Sequence, residues 1–572
     1  MLLDWLREPS EERGMYFAGG AGDWAFRSYA DLAAEVRRIG AGLLQSGIRP
    51  GSIVSLIVTD PAEFVVSFMG VLAAGSSPAP LAGPAALRGL DRYTGHLARV
   101  FGIARPAAVL ADAELAELVR AGLDAARQPV PTLTPAGLTA SATDFAPVLR
   151  GPDELALLQF TSGSTGHPKG VWVTWSGFAA NLAAIRGWLR WTERDAFASW
   201  LPLHHDMGLV GGMMMPLVTG TDSRLMTPAQ FVRHPLRWVE CFGRHGATLT
   251  TAPSFGYAYA ARRLTPERLA GLDFSGWRVA IVGAERIDPV AAADFTALTA
   301  PHGFDHRTFV AAYGLAENTV VATGVPVRTG SRVVRVRSTA LPVGERVEVD
   351  ERGVLGVDRV GGGGWLTGCG TAVPGTTATV VDQRGAPLPP GTFGEIALTG
   401  TSLSRGYLRG PEQLDTFGAG GLRTGDAGFE YDGELFVVGR IGESMKIRGA
   451  HVHAEDVEAE LAQHEEHAVS PCAVAFASLD DGDHCVVFVE GRVDAGWAER
   501  AARTVKALTH GAVRISVVQG ARGAVARTSS GKPRRAVMWN EVLAPDPERP
   551  KWTAVHGTPP SVSRRTTAGA AE

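Results

Sequence analysis

An α/β protein is predicted: a large N-terminal domain of layered α/β subdomains with a small β unit, followed by a smaller, mobile α+β domain. Three observations carry that expectation. Short β-branched runs alternate with helical periodicity through the first part of the chain. From Pro374 onward, strand-like runs are separated by Gly and Asp turns, as in antiparallel pairing. A chain of 572 residues is also too long for one hydrophobic core. The expected division is residues 1–439, residues 440–545 as the mobile C-terminal domain, and residues 546–572 as a flexible tail.

Tyr29 to Gly47 places Leu32, Val36, Ile39, Leu43 and Leu44 at helical spacing. Ser52–Thr59 is a short β-branched run of the kind that forms a buried strand, and Pro61–Gly75 returns to helical spacing. Ala156–Phe160, Val279–Val282 and Thr308–Ala311 repeat the pattern, each an apolar run ending at a Gly- or Ser-containing loop. Thr376–Asp382, Gly394–Thr399 and Glu434–Val438 read as the antiparallel set. Around Arg440–Gly449 a second α/β unit begins, with a helix at Ala454–His464 and strands at Cys472–Ala477 and Cys485–Val489. The last residues, rich in Pro, Arg, Ser and Thr, lack periodicity, and no internal repeat is present.

Composition excludes several classes. Hydrophobic residues at 45% and charged residues at 20% fit a globular chain rather than a disordered one. A net charge of −4 supplies no field favouring nucleic acid or an anionic membrane surface. The four cysteines are far apart and form no CxxC pair, so neither a disulfide framework nor a zinc site is expected and a reducing cytoplasm fits best. The first residues carry acids and lack a long apolar run, unlike a signal peptide, and no uninterrupted apolar stretch is long enough for a membrane span.

The densest chemical signal is the run Phe160-Thr161-Ser162-Gly163-Ser164-Thr165-Gly166-His167-Pro168-Lys169-Gly170. A short strand leads into glycines and hydroxyl residues, then a lysine. Glycine lets the backbone fold tightly enough for N–H groups to converge; the hydroxyls add donors and Lys169 adds positive charge, which suits a polyphosphate. The spacing is not that of a P-loop NTPase, which needs GxxxxGK followed by Ser or Thr.

That segment resembles the phosphate loop of the acyl-adenylate-forming superfamily, which includes acyl-CoA synthetases, peptide-synthetase adenylation domains and luciferases. Other segments follow in the superfamily's order: Ala311-Ala-Tyr-Gly-Leu-Ala-Glu317, Gly394-Glu-Ile396, Thr424-Gly-Asp426, Gly439-Arg440 and Thr528-Ser-Ser-Gly-Lys532. The likeness runs from about residue 25 to about residue 540. It implies binding of ATP and Mg²⁺, with Thr161, Ser162, Gly163, Ser164, Thr165, Gly166 and Lys169 around the phosphates, and Gly283, Ala284 and Glu285 in the loop where adenine lies. The segment Ala312, Tyr313, Gly314 offers an aromatic face for the purine. Glu317, one turn on, suits Mg²⁺; Asp426 suits the ribose hydroxyls; Arg440 can donate to ribose or phosphate. Lys532 is the expected catalytic lysine, brought by the mobile domain to neutralise charge during in-line attack.

Trp200-Leu-Pro-Leu-His-His-Asp-Met-Gly-Leu209 resembles a segment of the fatty acyl-AMP ligases, with His204 where those have Tyr. His205 is then expected at the acyl entrance, beside the reacting carboxylate, as the second catalytic residue. Adjacent residues of a strand or loop point apart, so His204, His205 and Asp206 do not read as one metal site. Gly211-Gly-Met-Met-Met215 reads either as an apolar tunnel lining or as a buried helix start. The stretch after Glu317, including Val333–Leu341, resembles the insertion that in those ligases directs the acyl group to the phosphopantetheine arm of an acyl carrier protein; a plain surface loop is the other reading. Gly442 stands at the expected hinge, Asn318 follows Glu317 where a small residue is usual, and Gly361–Gly364 reads as a loose loop. The expected activity is conversion of a carboxylic acid to acyl-AMP and then to a thioester. An acyl- or aryl-CoA synthetase sharing the first step, with coenzyme A as the thiol acceptor, is the alternative. A degenerate module that holds an acyl-adenylate, or transfers it, without making it is a third.

Overall fold

The computed structural model describes residues 2–20, 22–84, 90–139, 145–161, 168–410, 413–418, 420–447, 450–462, 472–479, 481–528, 532–545 and 550–560. A nine-stranded sheet forms its centre. From one edge the order is Thr371–Ala372, Val321–Gly324, Phe309–Gly314, Val279–Val282, Leu249–Ala252, Phe197–Ser199, Ser223–Leu225, Gly14–Ala18 and Trp24–Ser28. The six strands from Phe309–Gly314 to Gly14–Ala18 run parallel, and antiparallel strands close both edges. A second, parallel sheet of four strands, Ser77–Pro80, Ile53–Ile57, Ala108–Ala111 and Thr132–Leu133, packs with the helices between them. Parallel strands covered on both faces carry near-continuous apolar runs, which is how Val279–Val282 and Ile53–Ile57 read in the sequence.

Local chemistry explains the helix starts. Ser28 caps Tyr29–Gln45 in a reciprocal capping box with Asp31, and the helix ends two residues before the glycine that the periodicity reached. Asp60 accepts from the N–H groups of Ala62 and Glu63 to start Pro61–Ala73, with Pro61 at the first helical position. Both helices turn their apolar faces into one cluster that extends from Leu2 to Val373.

Strands Leu155–Thr161 and Lys169–Thr174 form a hairpin joined edge-on by Gly406–Gly410 and then Gln413–Thr416. The antiparallel set expected after Pro374 is present as Thr376–Val381, Gly394–Gly400 and Glu434–Arg440, with a further strand, Leu422–Tyr431, between the last two. Val333–Leu341 is not a plain surface loop. Arg332–Val336 is the central strand of a three-stranded sheet between Val349–Val354 and Trp365–Thr367, and Val333 and Val334 are wholly buried. Gly361–Gly364 is not loose either: a Cβ at Gly364 would stand 2.7 Å from the Val336 carbonyl oxygen, and the Gly363 N–H donates to Glu460 at 2.8 Å.

Residues beyond Arg440 form a pair of strands, Ser444–Ile447 and Ala450–His453, and a four-stranded sheet ordered Cys472–Leu479, Gly482–Glu490, Arg514–Gly520 and Thr553–His556. Period-two alternation divides that sheet between two cores. Cys485, Val487 and Val489 face Ala454–Leu461 and Ala495–Leu508, while Val486 and Phe488 face Met538, Trp539 and Trp552. The expectation of a flexible tail from residue 546 fails over Thr553–His556, which closes the sheet edge against Val517–Gln519. A strand too short for a periodic signal is held there by ladder hydrogen bonds and by burial of Trp552. Residues 561–572 lie outside the described residues. At Gly442 an added Cβ would meet open space.

Candidate active site

Parallel strands expose loops at their carboxyl ends, and in open α/β sheets those ends bound the ligand crevice. Here the ends of Leu249–Ala252, Val279–Val282 and Phe309–Gly314 open into a cleft of ≈ 980 Å³ roofed by Gly439, Arg440, Glu443, residues 527–528 and residues 532–537. Two glycines of the motifs are demanded by crowding. A Cβ at Gly283 would stand 2.5 Å from the Ala312 carbonyl oxygen, and one at Gly314 would stand 1.8 Å from the Val320 carbonyl oxygen.

On one wall the Tyr313 hydroxyl donates to Asp426 Oδ2 at 2.7 Å, and Arg440 Nε lies 3.0 Å from Asp426 Oδ1. Asp426 and Arg440 face each other across Leu422–Tyr431 and Glu434–Arg440, so the β-ladder sets their spacing. Burial, then the Asp426 charge, pushes the Tyr313 phenol well above its ordinary range, keeping it a hydrogen-bond donor. Ala284 adopts the left-handed conformation at φ 68°, and Glu285, raised by burial, accepts the Phe255 N–H at 3.1 Å. One Glu285 oxygen is thus engaged at a helix start, and Gly283, Ala284 and Glu285 all line the cleft beside Ala312, Tyr313 and Gly314.

Thr161 ends its strand opposite Lys169, and both line the cleft. Ser162, Gly163, Ser164, Thr165 and Gly166 lie outside the described residues. Lys169 Nζ sits 4.8 Å from the centroid of the Tyr407 ring, and the Tyr407 hydroxyl donates to Glu317 Oε1 at 2.6 Å. Sequence reasoning did not single out Tyr407. Its signal was the strand Gly406–Gly410, whose register sets Tyr407 beside Val171 and so beside the strand of Lys169. Glu317 is a buried carboxylate on the cleft wall, the hard oxygen donor Mg²⁺ takes. No group of three or more His, Cys, Asp or Glu that could hold a metal occurs among the described residues, so a cation here would share one carboxylate with substrate phosphates. Asn318 is fully buried in the turn behind Glu317, with its side-chain N–H donating to the Val321 carbonyl at 2.7 Å.

On the opposite wall His205 Nδ1 lies 2.6 Å from Asp206 Oδ1. Burial raises Asp206, but the charge and hydrogen bond of His205, the Met207 N–H and the Lys532 charge together hold it below its ordinary value. His204 is pushed down to about 3 by burial and by His205. An apolar branch beyond them is lined by Ile185, Trp188, Leu189, Trp191, Phe197 and Gly211. Met207–Met214 is wound as a π-helix that leaves Gly211 on the cleft and buries Met213, Met214 and Met215 completely in the core. Gly211 therefore lines the cleft, and Met213, Met214 and Met215 do not.

Lys532 enters from the roof. Its N–H donates to Thr528 Oγ1 at 3.0 Å, and its carbonyl accepts the Thr528 N–H at 2.8 Å. Behind it Arg535 pairs with Glu443, Glu455 and Glu458; burial pushes Glu458 up to about 7. Roof and floor are joined by Arg286, which pairs with Asp456 and donates to the Trp365 carbonyl at 3.1 Å, and by the Gly363–Glu460 bond.

One space thus gathers the paired strand ends at Thr161 and Lys169, a tyrosine–aspartate–arginine cluster, a buried carboxylate and a lysine from beyond Arg440. The chain belongs to the AMP-binding enzyme family, whose sequence model matches residues 5–408. A Caulobacter vibrioides protein named as a candidate acyl-CoA synthetase is 33% identical over 531 residues, covering 90% of each chain. A medium-chain-fatty-acid–[acyl-carrier-protein] ligase of Moorena producens is 29% identical over 89% of this chain and 88% of its own. A solved structure from a study of fatty acyl-adenylate ligases of E. coli and L. pneumophila superposes with a TM-score of 0.82 at 29% identity, covering 94% of this chain and 96% of that one.

Proposed function

We propose that the protein activates a fatty or related carboxylic acid with ATP and passes the acyl group to the phosphopantetheine thiol of an acyl carrier protein. In the first step a carboxylate oxygen bonds to the α-phosphorus, the bond to the β-phosphate bridging oxygen breaks, and pyrophosphate leaves. In the second the thiol bonds to the acyl carbon and AMP departs. Thr161 and Lys169 take the phosphates, Tyr313 and the Gly283–Ala284 turn take the base, and Asp426 with Arg440 takes the ribose. Glu317 would hold a Mg²⁺ ion, whose chemistry is to neutralise phosphate charge. His205, kept in place by Asp206, orients the acid at the mouth of the apolar branch. Lys532 stabilises charge as pyrophosphate departs. Holding both reactants in line supplies much of the acceleration. The small unit from about Arg440 then swings about the Gly442 region to admit the thiol.

The observation that carries this reading is that Lys532 lines the same cleft as His205, Tyr313, Asp426 and Arg440. Its test is acid-dependent pyrophosphate release from ATP over a panel of fatty, aryl and amino acids. Release of ADP and phosphate instead would refute it. The carrier-protein relative supports the acceptor, as does the packing of Ala340, from the segment after Arg332–Val336, against the core of the small unit. The candidate acyl-CoA synthetase relative favours a second reading with coenzyme A as acceptor. Parallel thioester assays decide: faster acylation of holo-carrier protein supports the first reading, and equal or faster turnover of coenzyme A the second.

A further inference from the structure

Tyr407 touches two groups that the proposed reaction uses and is itself given no role by it. Its ring lies under the Lys169 ammonium at 4.8 Å, and its hydroxyl donates to Glu317 Oε1 at 2.6 Å. The ring is braced edge-on by Phe417 at 5.1 Å between centroids and 87° between planes. The backbone just before it is tied to the Glu317 turn: the Ser404 N–H donates to the Glu317 carbonyl at 2.8 Å, and Thr319 Oγ1 donates to the Ser402 carbonyl at 3.0 Å. The side chain lies in the cleft wall.

We infer that Tyr407 is a positioning residue that sets the phosphate-side lysine and the metal-side carboxylate at a fixed spacing. The inference rests on the nucleotide reading of the cleft. The two halves of the side chain act separately. The hydroxyl fixes one carboxylate oxygen of Glu317 and so aims the other at a divalent cation. The ring face attracts the Lys169 ammonium and keeps it on the cleft wall opposite Thr161 until a polyphosphate replaces that contact. A tyrosine that only filled space would supply neither effect, because phenylalanine would replace it without consequence.

The test uses the full-length protein with Tyr407→Phe and Tyr407→Leu, ATP as nucleotide, and Mn²⁺ as the cation read by its paramagnetic resonance. ATP binding is followed by calorimetry with chelator and then across a Mn²⁺ titration. Tyr407→Phe keeps the ring and its contact with Phe417. It is expected to retain metal-free ATP affinity and to raise the half-saturating Mn²⁺ concentration by about 10–100-fold, the usual consequence of removing a hydrogen bond behind a metal ligand. Tyr407→Leu is expected to lose metal-free ATP affinity as well. In a Glu317→Gln background, adding Tyr407→Phe should shift the Mn²⁺ dependence no further. Wild-type Mn²⁺ dependence in Tyr407→Phe, or equal loss of metal-free and metal-dependent binding in that variant, overturns the inference. Failure of the wild-type protein to bind ATP under any condition would instead overturn the nucleotide reading beneath it.

Discussion

Arg286→Ala probes the joint between roof and floor. Arg286 lies in the loop after Val279–Val282, and Asp456 in the helix Ala454–Leu461; their side chains are 17% and 5% exposed. One oxygen of Asp456 already lacks a protein partner. Removing the guanidinium leaves a buried carboxylate uncompensated, which costs ~3–5 kcal/mol. That cost falls only on the orientation in which the two units meet, because a roof that has swung away returns Asp456 to water. At 1.4 kcal/mol per decade, even the lower figure shifts the orientation equilibrium by about a hundredfold. Adenylate formation, measured as pyrophosphate release at saturating ATP and acid, is therefore expected to slow about a hundredfold. Transfer of a synthetic acyl-adenylate to the thiol should be preserved. Adding Asp456→Ala removes the stranded charge and should restore much of the loss. Wild-type adenylation by Arg286→Ala, or a double variant as slow as the product of the singles, would refute the reasoning.

Two further outcomes follow from the same geometry. Lys532→Ala should slow adenylate formation by ~10²–10³ yet still transfer a preformed acyl-adenylate, since its charge is needed only as pyrophosphate leaves; equal damage to both steps, read in paired half-reaction assays, would separate Lys532 from the first step. His204, held down to about 3 from an ordinary 6.5, contributes stability that is complete above pH 6.5 and is lost as the pH falls. Below 6.5 the unfolded chain binds a proton that the folded chain refuses, so stability drops by up to ~1.4 kcal/mol per unit. Denaturation midpoints of His204→Gln should fall less steeply between pH 6.5 and 5 than those of the wild type, and parallel curves would show that His204 is not buried as the neutral ring.

Local signals were legible in the sequence because their physics is local. Ser28 and Asp31 start a helix whose apolar spacing the chain itself carries, and Asp60 with Pro61 starts the next. The phosphate-loop run and the AYGLAE segment are contiguous, and crowding demands Gly283 and Gly314 at single backbone positions. From those segments the α/β class, the family and part of the cleft wall could be named. Partnership across the chain could not. Tyr407 meets Glu317 from 90 residues away, Tyr313 meets Asp426 from 113, and Arg286 meets Asp456 from 170. Periodicity states which face of an element is buried, but not what lies opposite it. The methionines at 213–215 show the same limit, because a π-wound turn changes which neighbours share a face, and that winding is decided by the packing around it. Thr553–His556 became a strand only because the edge at Val517–Gln519 was there to receive its hydrogen bonds. Sequence determined the chemical groups and those elements with a local signal; tertiary structure decided the rest, and which groups stand within hydrogen-bonding distance, because that depends on how separate elements pack.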